Sequence, residues 1–281
     1  MIALHETHKK GKYDLEALAY VGAIKEDKRG VIVSVMSADV QMNLVIWNAR
    51  MTDEAKKAVD HYITFCYSPQ KYNSKYRTLT ISDFDILSDE DIKKTPDVNK
   101  IVTTVKPYVD DTAIFKKLLD RLVEINPNHA KILEQFQEDF KTQRASTMFH
   151  HNYRGGLLRH TFQVLTIAES IAKLYKDVDM ELLTLGAIFH DIGKLDTYDK
   201  ETGATTDYDR MYGGHLITGQ KYVYANFREY KRLDDLINII ASHHGSKDWG
   251  ALTTAATIEA HIVFIADYLS SHGDTLLKEM M

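Results

Sequence analysis

The segment that decides the fold is Leu182-Leu-Thr-Leu-Gly-Ala-Ile-Phe-His-Asp-Ile-Gly-Lys194. Residues 182–189 are apolar on nearly every side, which predicts a central buried helix rather than a surface helix. The helix ends in a polar pair, His190-Asp191, and Gly193 then breaks it. The break lets two adjacent polar side chains reach the same point.

Helical patterns continue on both sides of this segment, and no strand pattern competes with them after residue 112. We predict an all-α domain over 112–281. Its other helices are expected at about 112–125, 126–144, 155–175, 214–228, 232–242 and 254–271, with the central helix at 180–191. The second of these starts at Asn126-Pro127, because asparagine is a good N-cap and proline is favoured at the first helical position.

The first 87 residues have a β pattern instead. Residues 31–35 are rich in β-branched side chains, and apolar and polar residues alternate over 41–46. Further strands are predicted at about 17–24, 61–67 and 77–84, with one short helix at 49–59. Five strands with a helix between the third and fourth is the order of an OB-fold. The predicted architecture is therefore an α+β two-domain chain: a five-stranded OB-fold β-barrel at 1–87, a linker at 88–111 and the all-α domain.

Composition excludes several classes of protein. The 281 residues are 44% hydrophobic and 27% charged, which excludes a disordered or low-complexity chain. Cys66 is the single cysteine, so neither a disulfide framework nor a cysteine zinc site can form within one chain. No apolar run reaches membrane length, and residues 1–12 do not resemble a signal peptide. We expect a soluble cytoplasmic protein with no membrane partner. The net charge of −5 argues against global, but not local, attraction to nucleic acid.

Histidines and aspartates recur on apolar helix faces of the predicted all-α domain. His160 shares a face with apolar residues, and Asp267 lies on the face of Val263 and Phe264. A buried carboxylate is costly unless it is paired. Each group alone has a simpler explanation, a hydrogen-bonded core histidine or an aspartate paired with arginine. A divalent cation would pair with all of them, and Mn²⁺, Fe, Ni²⁺, Co²⁺ and Zn²⁺ accept such ligands.

Four strings carry a family resemblance. They are His150-His-Asn-Tyr-Arg-Gly-Gly-Leu-Leu-Arg-His160, His190-Asp-Ile-Gly-Lys194, Gly214-His215 and Ser242-His-His-Gly245. With Asp267, this order resembles the HD superfamily of metal-dependent phosphohydrolases. The first string is most similar to that of the YhaM-type 3′→5′ exoribonucleases, which also carry an N-terminal OB-fold.

The resemblance implies a ligand set and a catalytic pair. The implied ligands of a first metal are His160, His190, Asp191 and Asp267. A second metal would be held by His215 and by His243 or His244, with Asp191 bridging. Asp191 and Lys194 are the implied catalytic residues, Lys194 contacting the substrate phosphate, unless Lys194 is a solvated surface lysine. Arg154 is a second candidate for the phosphate, with a role that involves no phosphate as the equal alternative. The cofactor is expected to be one or two divalent ions, with Mn²⁺ favoured over Mg²⁺, Co²⁺, Ni²⁺ or Fe.

One loop of the predicted barrel favours binding of a single strand. Tyr67-Ser-Pro-Gln-Lys-Tyr-Asn-Ser-Lys-Tyr-Arg77 interleaves three tyrosines with three cations and connects the fourth and fifth strands. OB-folds use this loop for oligonucleotides, tyrosines stacking on bases and cations meeting phosphates. The candidate residues are Lys71, Tyr72, Lys75 and Arg77. The alternative is that this loop is a solvated hairpin tip with no role in binding. Trp47 is a further stacking candidate or else a core residue.

Together these observations predict a metal-dependent 3′→5′ exoribonuclease that releases nucleoside 5′-monophosphates and also accepts single-stranded DNA. Two alternatives stay open: hydrolysis of nucleotides or cyclic dinucleotides at the same site, and a single-strand-binding module whose HD half is structural. The resemblance also implies a homo-oligomer of unspecified size.

Overall fold

The computed structural model describes residues 5–10, 14–37, 40–95, 112–146 and 151–279. The chain divides into two compact units, Met1–Val109 with Asp199–Ala204 and Asp110–Tyr198 with Thr205–Met281. The grouping of 199–204 with the first unit has no signal in the sequence. The predicted linker, 88–111, begins with a short helix capped by Ser88. Its residues 96–111 lie outside the described part of the chain.

The first unit is a mixed sheet with two short helices, α1 (Thr52–Ala58) and α2 (Asp89–Lys94). Its strands are β1 (His5–Lys10), β2 (Asp14–Asp27), β3 (Gly30–Ser37), β4 (Val40–Ile46), β5 (Tyr62–Tyr67), β6 (Tyr72–Asn73), β7 (Thr78–Ile81) and β8 (Asp85–Ile86). Short 3₁₀ turns cover Ala49–Met51 and Pro69–Lys71.

The strand order is β6-β7-β4-β3-β2-β5-β8, with β1 paired to β2. The five predicted strands are β2, β3, β4, β5 and β7, and α1 lies between the third and fourth, as expected. Only β4 and β7 pair in parallel among the described ladders. The predicted number of strands is wrong, because β1, β6 and β8 join the sheet. No described ladder connects β5 to β7, so closure into a barrel is not confirmed.

The core of the sheet follows from the alternation that the sequence shows. Val31, Val33 and Val35 of β3 are buried, whereas Ile32 and Ser34 between them are partly exposed. Val33 lies opposite the buried Leu44 of β4. Period-two burial of this kind is what a sheet with one covered face requires.

The second unit is helical. Its helices are α3 (Thr112–Ile125), α4 (Pro127–Glu134), α5 (Gln137–Thr142), α6 (Gly156–Ala172), α7 (Met180–Phe189), α8 (Asp207–Met211), α9 (Gly214–Asn226), α10 (Leu233–Ser242) and α11 (Ile258–Glu279). Short 3₁₀ turns cover Ile192–Leu195 and Lys247–Trp249.

The predicted central helix is α7. Every residue from Leu182 to Phe189 is buried, and the Asp179 side chain caps its first turn by accepting from the backbone N–H of Glu181 and Leu182. Two details differ from prediction. The helix expected over 126–144 is interrupted at 135–136, where Phe136 packs edge-on against Tyr222. The five-residue helix α8 is additional. None of the helices in the described ranges is long and apolar enough to span a bilayer.

Candidate metal centre

The centre is built around Asp191, which is the second residue after the end of α7 and is buried. Its two carboxylate oxygens face different neighbours. Oδ2 lies 3.4 Å from Nε2 of His160 and 3.4 Å from Nε2 of His190. Oδ1 lies 3.4 Å from Nε2 of His243 and 3.7 Å from Nε2 of His215. Asp191 therefore joins two groups of histidines.

The first group gathers side chains from three helices. His160 comes from α6, His190 and Asp191 follow α7, and Asp267 comes from α11. Nε2 of His160 lies 3.1 Å from Nε2 of His190 and 3.1 Å from Oδ1 of Asp267. Asp267 Oδ1 also lies 4.0 Å from Nε2 of His190. All four residues that the family resemblance implies for a first metal are brought together.

The second group contains His215, His243 and His244. His215 lies in the first turn of α9, and the other two follow the last residue of α10. Nε2 of His215 lies 3.2 Å from Nε2 of His244. Both members of the His243-His244 pair thus face His215 or Asp191.

Hydrogen bonds on the far side of three rings fix which nitrogen faces the centre. Nδ1 of His190 donates to the carbonyl of Ala187, and Nδ1 of His243 donates to that of Ile240, each at 2.9 Å. Because a carbonyl only accepts, the proton must be on Nδ1, and Nε2 presents a lone pair. Nδ1 of His160 is likewise 2.9 Å from Ser270 Oγ. Such outer contacts are typical of metal-ligating histidines.

Two of these inward atoms have no hydrogen-bond partner among the described residues. They are Oδ1 of Asp191 and Nε2 of His243, both buried and 3.4 Å apart. Two electron-rich atoms facing each other without a proton between them are unfavourable, and a cation removes the conflict. The residues present therefore fit a divalent metal. Ligand atoms lie within 4.8 Å of one another in two sets, His160 with His190 and Asp191, and His215 with His243 and His244.

Burial and the carboxylates set the protonation of the rings. Burial lowers the pKa of His190 and lowers that of His215 further. Burial and the neighbouring His243 lower the pKa of His244 to about 4. Burial acts in the same direction on His160, but hydrogen bonds with Asp191 and Asp267 outweigh it and raise its pKa.

Lys194 is buried, so the alternative of a solvated surface lysine is wrong. It lies in the 3₁₀ turn after α7, and its Nζ donates to Oδ2 of Asp191 at 2.6 Å. Burial opposes its charge, but the negative charge of Asp191 outweighs burial and raises the pKa of Lys194. A fixed positive charge thus lies beside the oxygen that also faces His160 and His190.

The remaining predicted residues differ in their exposure. Arg154 is exposed in the turn that precedes α6. In the first unit, the predicted loop spans β6 and its flanking turns. Lys71, Lys75 and Arg77 are exposed and Tyr72 is half-buried, while Tyr67 is core. Trp47 is 53% exposed, and the guanidinium of Arg29 lies 4.8 Å from its ring centre, so its interpretation as a core residue is wrong.

Sequence reasoning missed two residues that touch the first group. Ser270 receives the hydrogen bond of His160 and donates to Gln163. Its position three residues after Asp267 in α11 places it on the same helix face, which is the signal that could have identified it. His151 lies with its ring 5.5 Å from that of His160, and burial lowers its pKa to about 3.

Comparison with known proteins agrees with this geometry. Residues 157–271 match the HD domain family, a match that spans every residue of both groups. The resemblance inferred from the four sequence strings is confirmed by this match, which lies within the helical unit.

Relatives resemble the chain over most of its length. The 3'-5' exoribonuclease YhaM of Oceanobacillus iheyensis is 23% identical over 273 residues, covering 90% of this chain and 83% of the relative. The protein of the same name from Bacillus subtilis is 24% identical, covering 84% of this chain and 75% of the relative. The likeness therefore includes the sheet unit as well as the HD domain.

Proposed function

We propose that this chain is a metal-dependent phosphodiesterase that degrades single-stranded RNA from its 3′ end and releases nucleoside 5′-monophosphates. One observation carries the proposal. The two oxygens of Asp191 face two groups of histidines in a segment that matches the HD domain family, and His190 and His243 each direct a lone pair at one of the oxygens. The relatives named 3'-5' exoribonuclease support RNA as the substrate.

Each residue of the centre has a proposed role. His160, His190, Asp191 and Asp267 would hold one cation, and His215, His243 and His244 a second, with Asp191 between them. A divalent ion supplies an activated water and neutralises charge on the phosphoryl oxygens. Mn²⁺ is the proposed ion, with Mg²⁺, Co²⁺, Ni²⁺ and Fe as alternatives that such ligands also accept.

Lys194 would stabilise negative charge on the reacting phosphate. Its ammonium is held at 2.6 Å from Asp191 and is buried, so its position is fixed before substrate binds. Fixed charges in a water-poor site stabilise a transition state more than mobile charges in solvent. Arg154, exposed before α6, would meet a phosphate further along the strand.

The sheet unit would bind the single strand as an OB-fold does. The strand order and the parallel pairing of β4 with β7 support this. A single strand needs only stacking rings and cations from such a platform. Tyr76 is 61% exposed, with Nζ of Lys75 lying 5.2 Å from its ring centre. Single-stranded DNA would bind the same features, since rings and phosphates do not distinguish the sugars.

A gel time course tests the reaction. We expect 5′-labelled single-stranded RNA to shorten from its 3′ end with Mn²⁺, to stay intact with chelator, and to resist cleavage when a 3′-phosphate blocks the end. The matching DNA strand measures sugar preference. Intact RNA in every lane would contradict the proposal, and turnover of nucleotides or cyclic dinucleotides by the same preparation would establish the alternative substrate class.

Salt dependence tests the sheet unit. The variant Tyr72→Ala/Lys75→Ala is expected to bind long RNA more weakly, with the slope of log affinity against log salt reduced by about 0.7 for the lost phosphate contact. Lys57→Ala is the matched control, because Lys57 is an exposed lysine of the same unit that pairs with Glu54 on α1. Unchanged affinity and slope in the double variant would contradict RNA binding by this loop.

A further inference from the structure

A ladder of three aromatic rings, two of them exposed and one half-buried, lies beside the candidate metal centre. Trp249, Tyr268 and His272, which we call the aromatic stack, are nearly parallel. The ring centres of Trp249 and Tyr268 are 5.6 Å apart with planes at 15°, and those of Tyr268 and His272 are 4.5 Å apart at 17°. Trp249 is 59% exposed although it is the largest apolar side chain of this region. None of the roles proposed above uses these rings.

The chain ties the aromatic stack to both groups of metal-site residues. Tyr268 directly follows Asp267 in α11. Trp249 precedes Gly250, which has a φ of +98° and lies so close to the second group that a Cβ there would be 3.4 Å from Nδ1 of His244. Tyr268 is therefore the sequence neighbour of Asp267 in the first group. Trp249 is the sequence neighbour of Gly250, the residue that packs beside His244 of the second group.

Phe264 anchors the loop that carries Trp249. Its ring packs directly on Gly245, where an added Cβ would come within 2.3 Å of it, and its centre is 6.2 Å from that of Trp249. Gly245 also has a φ of +82°, a conformation that glycine adopts without strain. The position of Trp249 is thus set by packing rather than left to a free loop.

Exposed aromatic surface of this kind indicates a binding site. A parallel ring ladder beside a phosphodiester-cleaving centre suits a nucleobase, because every base has a face that stacks on an aromatic ring. A platform of rings makes no base-specific hydrogen bond here, so it accepts any sequence. A second copy of the chain is the other occupant that exposed rings could attract.

We propose that the aromatic stack is the base-binding platform of the metal centre, with Trp249 stacking on a base next to the phosphate that is cleaved. The inference rests on the proposed nuclease function and adds to it the residues that hold the 3′-terminal bases. It assigns to the exposed ring of Trp249 a contact with base rather than with phosphate, and Tyr268 and His272 complete the ring ladder on which Trp249 is stacked.

Kinetics with two substrates test the platform. For Trp249→Ala we expect KM for single-stranded RNA to rise about 5- to 140-fold, the range that corresponds to losing one base–aromatic stack. Cleavage of the same RNA ending in abasic residues, which present no ring to the platform, should change less than about twofold. Trp249→Phe should retain most of the affinity for RNA. Tyr175→Ala is the matched control, because Tyr175 is a similarly exposed aromatic residue beyond the opposite end of α6 from His160.

The outcomes separate the platform from the nuclease function. Wild-type protein that leaves RNA intact contradicts the proposed function itself. Wild-type protein that degrades RNA, with Trp249→Ala equal to it in KM, contradicts only the platform. An equal loss of activity on both substrates would show that Trp249 supports the metal centre structurally, and this also overturns the proposal.

Fluorescence gives a readout that does not depend on turnover. The chain has two tryptophans, so Trp47→Phe leaves Trp249 as the single reporter. In the presence of chelator, a five-nucleotide RNA is expected to quench the emission of Trp249. The same strand with abasic 3′-terminal residues is not expected to quench it. Equal quenching by both strands, or none, contradicts the platform. So does a Trp249→Ala protein that sediments as a smaller species than wild type, because the ring would then belong to an interface between copies.

Discussion

Asp191→Asn is expected to lower RNA cleavage at least about 1,000-fold and to abolish stabilisation by Mn²⁺. Both carboxylate oxygens of Asp191 face histidine nitrogens, so the amide would turn an N–H₂ toward one group of them. Charge stabilisation by a metal is worth several kcal/mol, and each 1.36 kcal/mol is about tenfold in rate. Thermal unfolding checks the metal: Mn²⁺ at 100 times its Kd should stabilise wild type by about 2.7 kcal/mol and the variant not at all.

Asp207→Asn is the matched control, because Asp207 is an exposed aspartate of the same unit that pairs with Arg210. Asp191→Asn also leaves Lys194 buried without its partner, which costs about 3–5 kcal/mol. Loss of folding therefore has to be separated from loss of metal. The double variant Asp191→Asn/Lys194→Met removes the unpaired charge and should regain stability without regaining the response to Mn²⁺. A response to Mn²⁺ in either variant would contradict the role given to Asp191.

Several residues of the candidate metal centre could be predicted because they leave a local signal. A helix that is apolar on all sides is predicted to be buried, so His190-Asp191 at its end is predicted to be buried too. Asp267 on an apolar face is likewise a carboxylate that needs a partner. No local pattern predicts that the carboxylate of Asp191 lies between two groups of histidines. This arrangement depends on how α6, α9, α10 and α11 pack around α7. Burial of Lys194 has the same origin, because a lysine just after a helix end is usually solvated.

The aromatic stack was missed for a related reason. Trp249 lies in a loop and Tyr268 in a helix, so no periodicity connects them. Their stacking depends on Gly245 approaching Phe264, a contact between segments that are 19 positions apart in the sequence. Ser270, by contrast, could have been found from its helical spacing to Asp267.

The sheet shows where strand patterns stop being informative. The alternation over 31–35 and 41–46 predicts β3 and β4, because one face of each is covered. Strands β6 and β8 have two residues each, too few to show a period. Closure of the sheet into a barrel depends on whether its edge strands pair with each other. The alternation of side chains along a strand does not predict this pairing.

Gly193→Ala is expected to destabilise the helical unit by about 1–3 kcal/mol or more and to reduce RNA cleavage about 100-fold. Gly193 lies in the 3₁₀ turn between Asp191 and Lys194, where a Cβ would come within 2.0 Å of the carbonyl oxygen of His215 and 2.6 Å of the backbone nitrogen of Gly219. Both obstacles are backbone atoms, so relief requires the turn and α9 to separate. That movement takes His215 away from Asp191. In the wild-type structure, Nε2 of His215 lies 3.7 Å from Oδ1 of Asp191. Thermal unfolding and Mn²⁺ titration measure the two effects.

Gly219→Ala is the matched control on the other side of the same contact. A Cβ there would meet Cγ2 of Ile240 at 2.9 Å and the backbone nitrogen of Gly193 at 3.5 Å, so the main obstacle is the end of a side chain that can rotate. Alanine also favours the helix over glycine by about 1 kcal/mol, which offsets part of the strain. We therefore expect Gly219→Ala to stay near wild type in unfolding temperature and Mn²⁺ affinity. If Gly193→Ala does the same, close contact of this turn with α9 is not what holds His215 at Asp191.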